Sequence, residues 1–295
     1  MKSRFQRIIF PTDFSPTADA ALKTAAAFAA KHRAELHIIH VVDVSAYMYA
    51  GYPYADLTAE MMRSAAKRLQ HLKLPAAAKK IMTVPVLLQG DIGSEITAYA
   101  AKIKADLIVM ASHARKSVAR FFLGSVADRL LHSARCPVLV MRAPASPKFK
   151  AEKGFKRIAV PTDFSTTADV GLGRAMELAR EYKAEVHIVH AVERDVLGIL
   201  PPKMQKEANR QAEKLTKDKL AELASWDKSN LKIKTAVLDG EPADAMAAYV
   251  QKAKCDLVVI GSHGRGEISR LILGSVADRL LRLVECPVFV ERARS

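Results

Sequence analysis

One block of this chain is written twice, and the spacing never slips. Pro11-Thr12-Asp13-Phe14-Ser15 returns as Pro161-Thr162-Asp163-Phe164-Ser165, and Ala34-Glu35-Leu36-His37 returns as Ala184-Glu185-Val186-His187. Leu123-Gly124-Ser125-Val126-Ala127-Asp128-Arg129 returns as Leu273-Gly274-Ser275-Val276-Ala277-Asp278-Arg279, each pair 150 positions apart. A constant offset across three separated blocks means two copies of one domain, and differences between the copies then carry functional information. At 50% hydrophobic and 26% charged residues, the 295-residue chain has material for two cores of ordinary size. Residues 143–150 are rich in proline and small or charged residues and lie between the copies. This divides the chain into domains at 1–145 and 156–295 with a linker at 146–155.

Each copy alternates short β-branched runs with helical periodicity, the pattern of βαβ units around a parallel sheet. In the second copy strands are expected at 157–161, 185–192, 231–238, 256–261 and 287–291, and helices at 165–182, 202–225, 242–253 and 275–284. Ser15 before Pro16 reads as a helix N-cap with proline at the first helical position, and Ser275 with Asp278 reads as a capping box.

In an open parallel sheet, ligands bind beyond the carboxyl ends of the strands. Three segments of the second copy should meet there: Pro161, Thr162 and Asp163 after the first strand, Ala191 and Val192 after the second, and Gly261 to Gly264 after the fourth. Gly274 and Ser275 follow at a helix start. Glycine lets backbone approach a ligand and tolerates positive φ, and helix N-terminal N–H groups suit phosphate oxygens. The expectation is an adenine nucleotide with its phosphates over the loop from Gly264 to Ser275.

The spacing of Gly261, Gly264, Gly274 and Ser275 is G-x2-G-x9-G-[S/T], and with both copies included the chain resembles a tandem universal stress protein. That resemblance implies an α/β fold: two Rossmann-like (flavodoxin-like) domains, each a five-stranded parallel sheet of order 3-2-1-4-5 with helices on both faces. It implies ATP, with or without magnesium, in the second copy, with Pro161, Thr162 and Asp163 around the adenosine, Ala191 at the adenine, Ile260 beside the glycines and Val276 after the serine. It also implies pairing of domains through their last strands, 138–141 and 288–291, as a pseudo-dimer inside the chain or in a homodimer. The first copy departs from the motif, since Ala111 and Ala114 stand where the second has Gly261 and Gly264. Methyl groups there should obstruct a ligand, which leaves the first domain as a degenerate partner.

Other signals weigh less. Net charge is +15, with 20 basic and 10 acidic residues in 1–145 against 26 and 21 in the remainder. The cations are scattered without interleaved aromatics, so solubility explains them better than nucleic acid. No apolar run approaches the ~18 residues of a membrane span, the first residues lead straight into a strand pattern, and Cys136 and Cys286 read as reduced, buried side chains. A cytoplasmic protein is expected. His37/His40 and His187/His190 are three apart on strands and point to opposite faces, which excludes joint chelation of one metal. Ser262-His263 lacks an orienting carboxylate, and the G-x4-G-K-[S/T] loop of phosphoryl-transfer enzymes is missing. Nucleotide binding that signals to a protein partner is therefore favoured over turnover, with slow ATP hydrolysis as an alternative. A further alternative is carriage of a lipid or apolar metabolite by the tyrosine-rich segment at 47–54.

Overall fold

The computed structural model describes residues 5–44, 54–112, 123–142, 154–193, 202–262 and 274–292. The tyrosine-rich segment up to residue 53, the linker up to 153, Ala114, His263 and Gly264 lie outside the described residues. The chain divides into two compact units.

In the first unit β1 (Arg7–Pro11), β2 (Glu35–Val42), β3 (Thr83–Gln89), β4 (Leu107–Ser112) and β5 (Val138–Arg142) alternate with α1 (Pro16–His32), α2 (Tyr54–Gln70), α3 (Ile92–Lys102) and α4 (Ser125–Ser133). The second unit repeats this with β6 (Arg157–Pro161), β7 (Glu185–Val192), β8 (Ile233–Asp239), β9 (Leu257–Ser262) and β10 (Val288–Arg292). Its helices are α5 (Thr166–Tyr182), α6 (Pro202–Ser225), α7 (Pro242–Lys252) and α8 (Ser275–Leu283). All pairings within each unit are parallel: β1 lies between β2 and β4, β2 carries β3, and β4 carries β5. The second unit pairs β6 with β7 and β9, β7 with β8, and β9 with β10. Each unit thus has the order 3-2-1-4-5.

Parallel strands covered on both faces must be apolar throughout rather than alternating, and the central strands obey this. Ile8, Ile9 and Phe10 of β1 are fully buried, as are Ile158, Ala159 and Val160 of β6. The sequence reading placed β6 and β7 at their observed bounds. It started β8 two residues early because a residue leaving a turn and a residue entering a strand look alike in a single sequence.

The helix starts separate two cases. Ser15, as its sequence suggests, and Ser165, read as the first helical residue, are both N-caps whose hydroxyls accept the N–H groups of Ala18 and Ala168 at 3.1 and 3.2 Å. The capping box read at Ser275 and Asp278 does not form. Gly274 occupies the N-cap with φ −57° and ψ 151°, Ser275 is already helical, and Asp278 accepts from the Arg282 guanidinium at 2.9 and 3.0 Å instead. All three cysteines, Cys136, Cys255 and Cys286, are free and buried, and burial pushes the Cys255 thiol up to about 12. Among the described residues no helix is long and apolar enough to cross a membrane, and no three His, Cys, Asp or Glu side chains gather as metal ligands would.

Candidate functional site

The turn from β6 into α5 is the first wall of the site, and its side chains bind their own backbone. Thr162 Oγ1 accepts the Phe164 N–H at 3.0 Å and Asp163 Oδ1 accepts the Ser165 N–H at 3.0 Å. These bonds hold Phe164 in the left-handed region at φ 62°, which costs a residue with a side chain about 1–2 kcal/mol. The Phe164 ring returns part of that by packing on His190, centroids 4.6 Å apart, with the Lys219 ammonium 5.1 Å from its centre. His190 Nδ1 is 2.7 Å from the Thr162 carbonyl oxygen. A carbonyl only accepts, so Nδ1 carries the hydrogen and, in the neutral ring, Nε2 keeps a lone pair.

The first unit builds the same turn from Thr12, Asp13, Phe14 (φ 60°) and His40, with matching bonds at 3.0, 3.0 and 2.8 Å. Pro-Thr-Asp therefore has a structural purpose in both copies, and its presence alone does not distinguish a site that binds a ligand. Asp163 is the charged group of this wall. Burial works against its charge, but hydrogen bonds from Ser165 outweigh that, aided by His190, and its pKa falls below the ordinary carboxylate value.

Above this turn lies a cavity of about 290 Å³, at the lower limit of small-molecule sites. Its wall brings together Pro161, Thr162, Asp163, Ala191, Ile260, Gly261, Gly274, Ser275 and Val276, nine of the ten residues singled out from the sequence. The tenth, Gly264, lies outside the described residues. The cavity sits past the carboxyl ends of β6, β7 and β9, where a parallel sheet presents its crevice. The wall also includes Thr167 and Ala168 from α5, His190 from β7, Pro242 and Met246 from α7, and Ala277 and Leu280 from α8. The helix residues escaped the sequence reading, which followed strand ends; Pro242 at the first helical position was the available signal that α7 starts beside them.

Three helix N-termini thus face one cavity, each with the partial positive charge of its free N–H groups. At α5 and α7 the N-cap residue blunts this, through the Ser165 hydroxyl on the Ala168 N–H and the Glu241 carboxylate on the Asp244 N–H at 3.0 Å. At α8 the N-cap is a glycine, which supplies no side-chain acceptor. Anionic ligand oxygens are best received there.

One reason read for the glycines in the sequence, a positive φ, is not met at the two that are described. Neither Gly261 nor Gly274 has positive φ; among the described glycines that conformation belongs to Gly90, Gly154 and Gly240. A Cβ on Gly274 would have nothing within 4 Å, so that position is open to the cavity. A Cβ on Gly261 would overlap the Thr167 carbonyl oxygen of α5 and lie 3.2 Å from Gly171 N. Gly261 is required first by the packing of a helix on its strand. The histidines of the strands also behave as packed residues: His187 Nδ1 bonds Tyr249 OH at 2.9 Å and His37 Nδ1 bonds Tyr99 OH at 3.0 Å, on the opposite side from His190 and His40.

Comparison with known proteins gives a consistent result. The model of the universal stress protein family matches twice, over residues 4–142 and 154–292. A universal stress protein of Mycobacterium tuberculosis is 28% identical over 302 aligned residues, spanning 97% of this chain and 96% of its own. One from Methanocaldococcus jannaschii is 34% identical over 147 residues, 47% of this chain and 83% of its own. The crystal structure of a universal stress protein from Archaeoglobus fulgidus covers 99% of both chains with a TM-score of 0.69 at 20% identity, a likeness of fold.

Proposed function

The chain belongs to the universal stress protein family, and we propose that its second domain binds ATP in the crevice beyond β6, β7 and β9. The observation that carries this reading is the convergence of Asp163, Ala191, Ile260, Gly274 and Ser275 on one cavity beside a helix start without a side-chain cap. Apolar groups of Ala191, Met246 and Ile260 suit the face of a purine. Asp163, held ionised, suits a hydroxyl or amine donor. The phosphates go to Gly274 and Ser275. Magnesium, if carried, arrives on the phosphates, since the wall offers one carboxylate and no ligand cluster is found among the described residues.

Binding rather than turnover is the output, and a protein partner reads the liganded state through its differential affinity for it. The first domain has Val41 at the Ala191 position, Met110 at Ile260 and Ala111 at Gly261, and serves as the degenerate member of the pair. Titration calorimetry of the full chain with ATP tests this. One intact nucleotide per chain, lost in Asp163→Ala, supports the proposal. No binding, or binding that survives in Asp163→Ala with wild-type affinity, sinks it.

A further inference from the structure

Gly171 lies on α5, away from the cavity wall, and meets β9 backbone to backbone. A Cβ placed on it would sit 2.6 Å from Gly261 N and 3.0 Å from the Ile260 carbonyl carbon. Carbon contacts settle at about 3.5–4.0 Å, so neither position admits a methyl unless the helix moves outward by roughly 1 Å. The first domain carries Ala21 and Ala111 at the equivalent positions 150 residues earlier, where two methyls would bar so close an approach of helix to strand. One chain thus contains both versions of this contact.

The contact bears on the crevice because the same two elements form two of its walls. Thr167 and Ala168 stand on the turn of α5 just before Gly171, while Ile260 and Gly261 belong to β9. Thr167 precedes Gly171 by four residues and lies on the same helix face. Any outward shift at Gly171 is carried to Thr167. We propose that Gly171 is a positioning residue for the nucleotide crevice: paired with Gly261, it seats α5 directly on β9 and so fixes the separation of the two walls. The first glycine of the G-x2-G-x9-G pattern then acts through a partner 90 residues upstream, and the loss of glycine at 111 is matched by the alanine at 21. This inference rests on the proposed nucleotide site and extends it to residues that do not touch the ligand.

A double-mutant cycle in the full chain decides it, with ATP affinity by calorimetry and stability by urea unfolding for wild type, Gly171→Ala, Gly261→Ala and the double variant. Gly171→Ala is expected to weaken ATP about tenfold or more although its methyl faces β9, because displacements near 1 Å at a binding wall are costly. The double variant should bind little worse than the weaker single, and the two stability losses should sum to less than additivity, since one helix displacement serves both methyls. Gly173→Ala is the control: on the same helix, its Cβ would meet nothing within 4 Å, so ATP affinity should stay at wild type while stability holds or rises, alanine being the better helix former. Should a single variant fail to fold, the double variant reproduces the Ala21/Ala111 pairing of the first domain and carries the test. Wild-type affinity in a folded Gly171→Ala or double variant overturns the proposal. If wild type itself binds no ATP, the nucleotide reading is what fails, and additive stability losses would then overturn the shared displacement on their own.

Discussion

Replacing Gly274 with alanine should separate binding from folding in a single methyl group. Two effects on stability oppose each other at this position. Alanine is a poorer N-cap than glycine by about 0.5–1 kcal/mol, yet at φ −57° it is unstrained and narrows the unfolded ensemble by about 0.4–1 kcal/mol. With nothing within 4 Å of the new Cβ, no collision is added, and the net change should stay within about 0.5 kcal/mol. For a domain of this size that is a shift of about 2 °C or less in Tm. The methyl does project where ligand oxygens approach the start of α8, so ATP affinity should drop about tenfold, equivalent to about 1.4 kcal/mol. Differential scanning fluorimetry without nucleotide and calorimetry with ATP, on the same preparation, measure the two quantities. A melting point lowered by more than about 5 °C would show that the methyl strikes protein rather than open space. Unchanged affinity in a stable variant would remove the case for phosphates at this helix.

Other perturbations have definite directions. The buried Arg174 guanidinium is held by the buried Glu291 carboxylate and by Glu177 at 3.0 Å, so Glu291→Ala should cost about 3 kcal/mol in urea unfolding. Replacing both Arg174 and Glu291 with methionine should cost far less, because no buried charge is then left uncompensated. Burial lowers the His187 pKa despite the opposing pull of Glu185, so the native state favours the neutral ring. The unfolded chain therefore binds the extra proton first, and the stability due to this group is complete above about pH 6.5 and lost as pH falls below that. Melting curves from pH 5 to 8 should show wild type losing more than His187→Gln on the acid side; parallel curves would refute the assignment.

The fold was legible because two independent signals agreed. The 150-residue repeat fixed the number of domains, and the β-branched runs of residues 157–161 and 185–192 have no helical reading. The cavity wall was legible wherever a residue stands at its own strand end, as Asp163 and Ala191 do. What the sequence hid were relations across distance. Gly261 looks like a ligand-facing glycine from its spacing, and nothing local reveals that Thr167 and Gly171 press on it. Ser275 with Asp278 looks like a capping box because single-sequence reading cannot see that the glycine before them already takes the cap conformation, or that Arg282 claims the aspartate. The repeated Pro-Thr-Asp turn shows the opposite error: it is eye-catching in sequence, yet much of its chemistry is consumed in holding Phe14 and Phe164 at positive φ.

The buried thiols make the protein its own gauge of local opening. Cys136 belongs to the first unit and Cys255 and Cys286 to the second, all shielded from solvent. Alkylating reagents attack only an exposed thiolate, so modification must wait for a domain to open, and each adduct is stamped by mass on the half that opened. Saturating nucleotide should slow the labelling of Cys255 and Cys286 in proportion to the occupancy of their domain, with Cys136 keeping time as an internal clock.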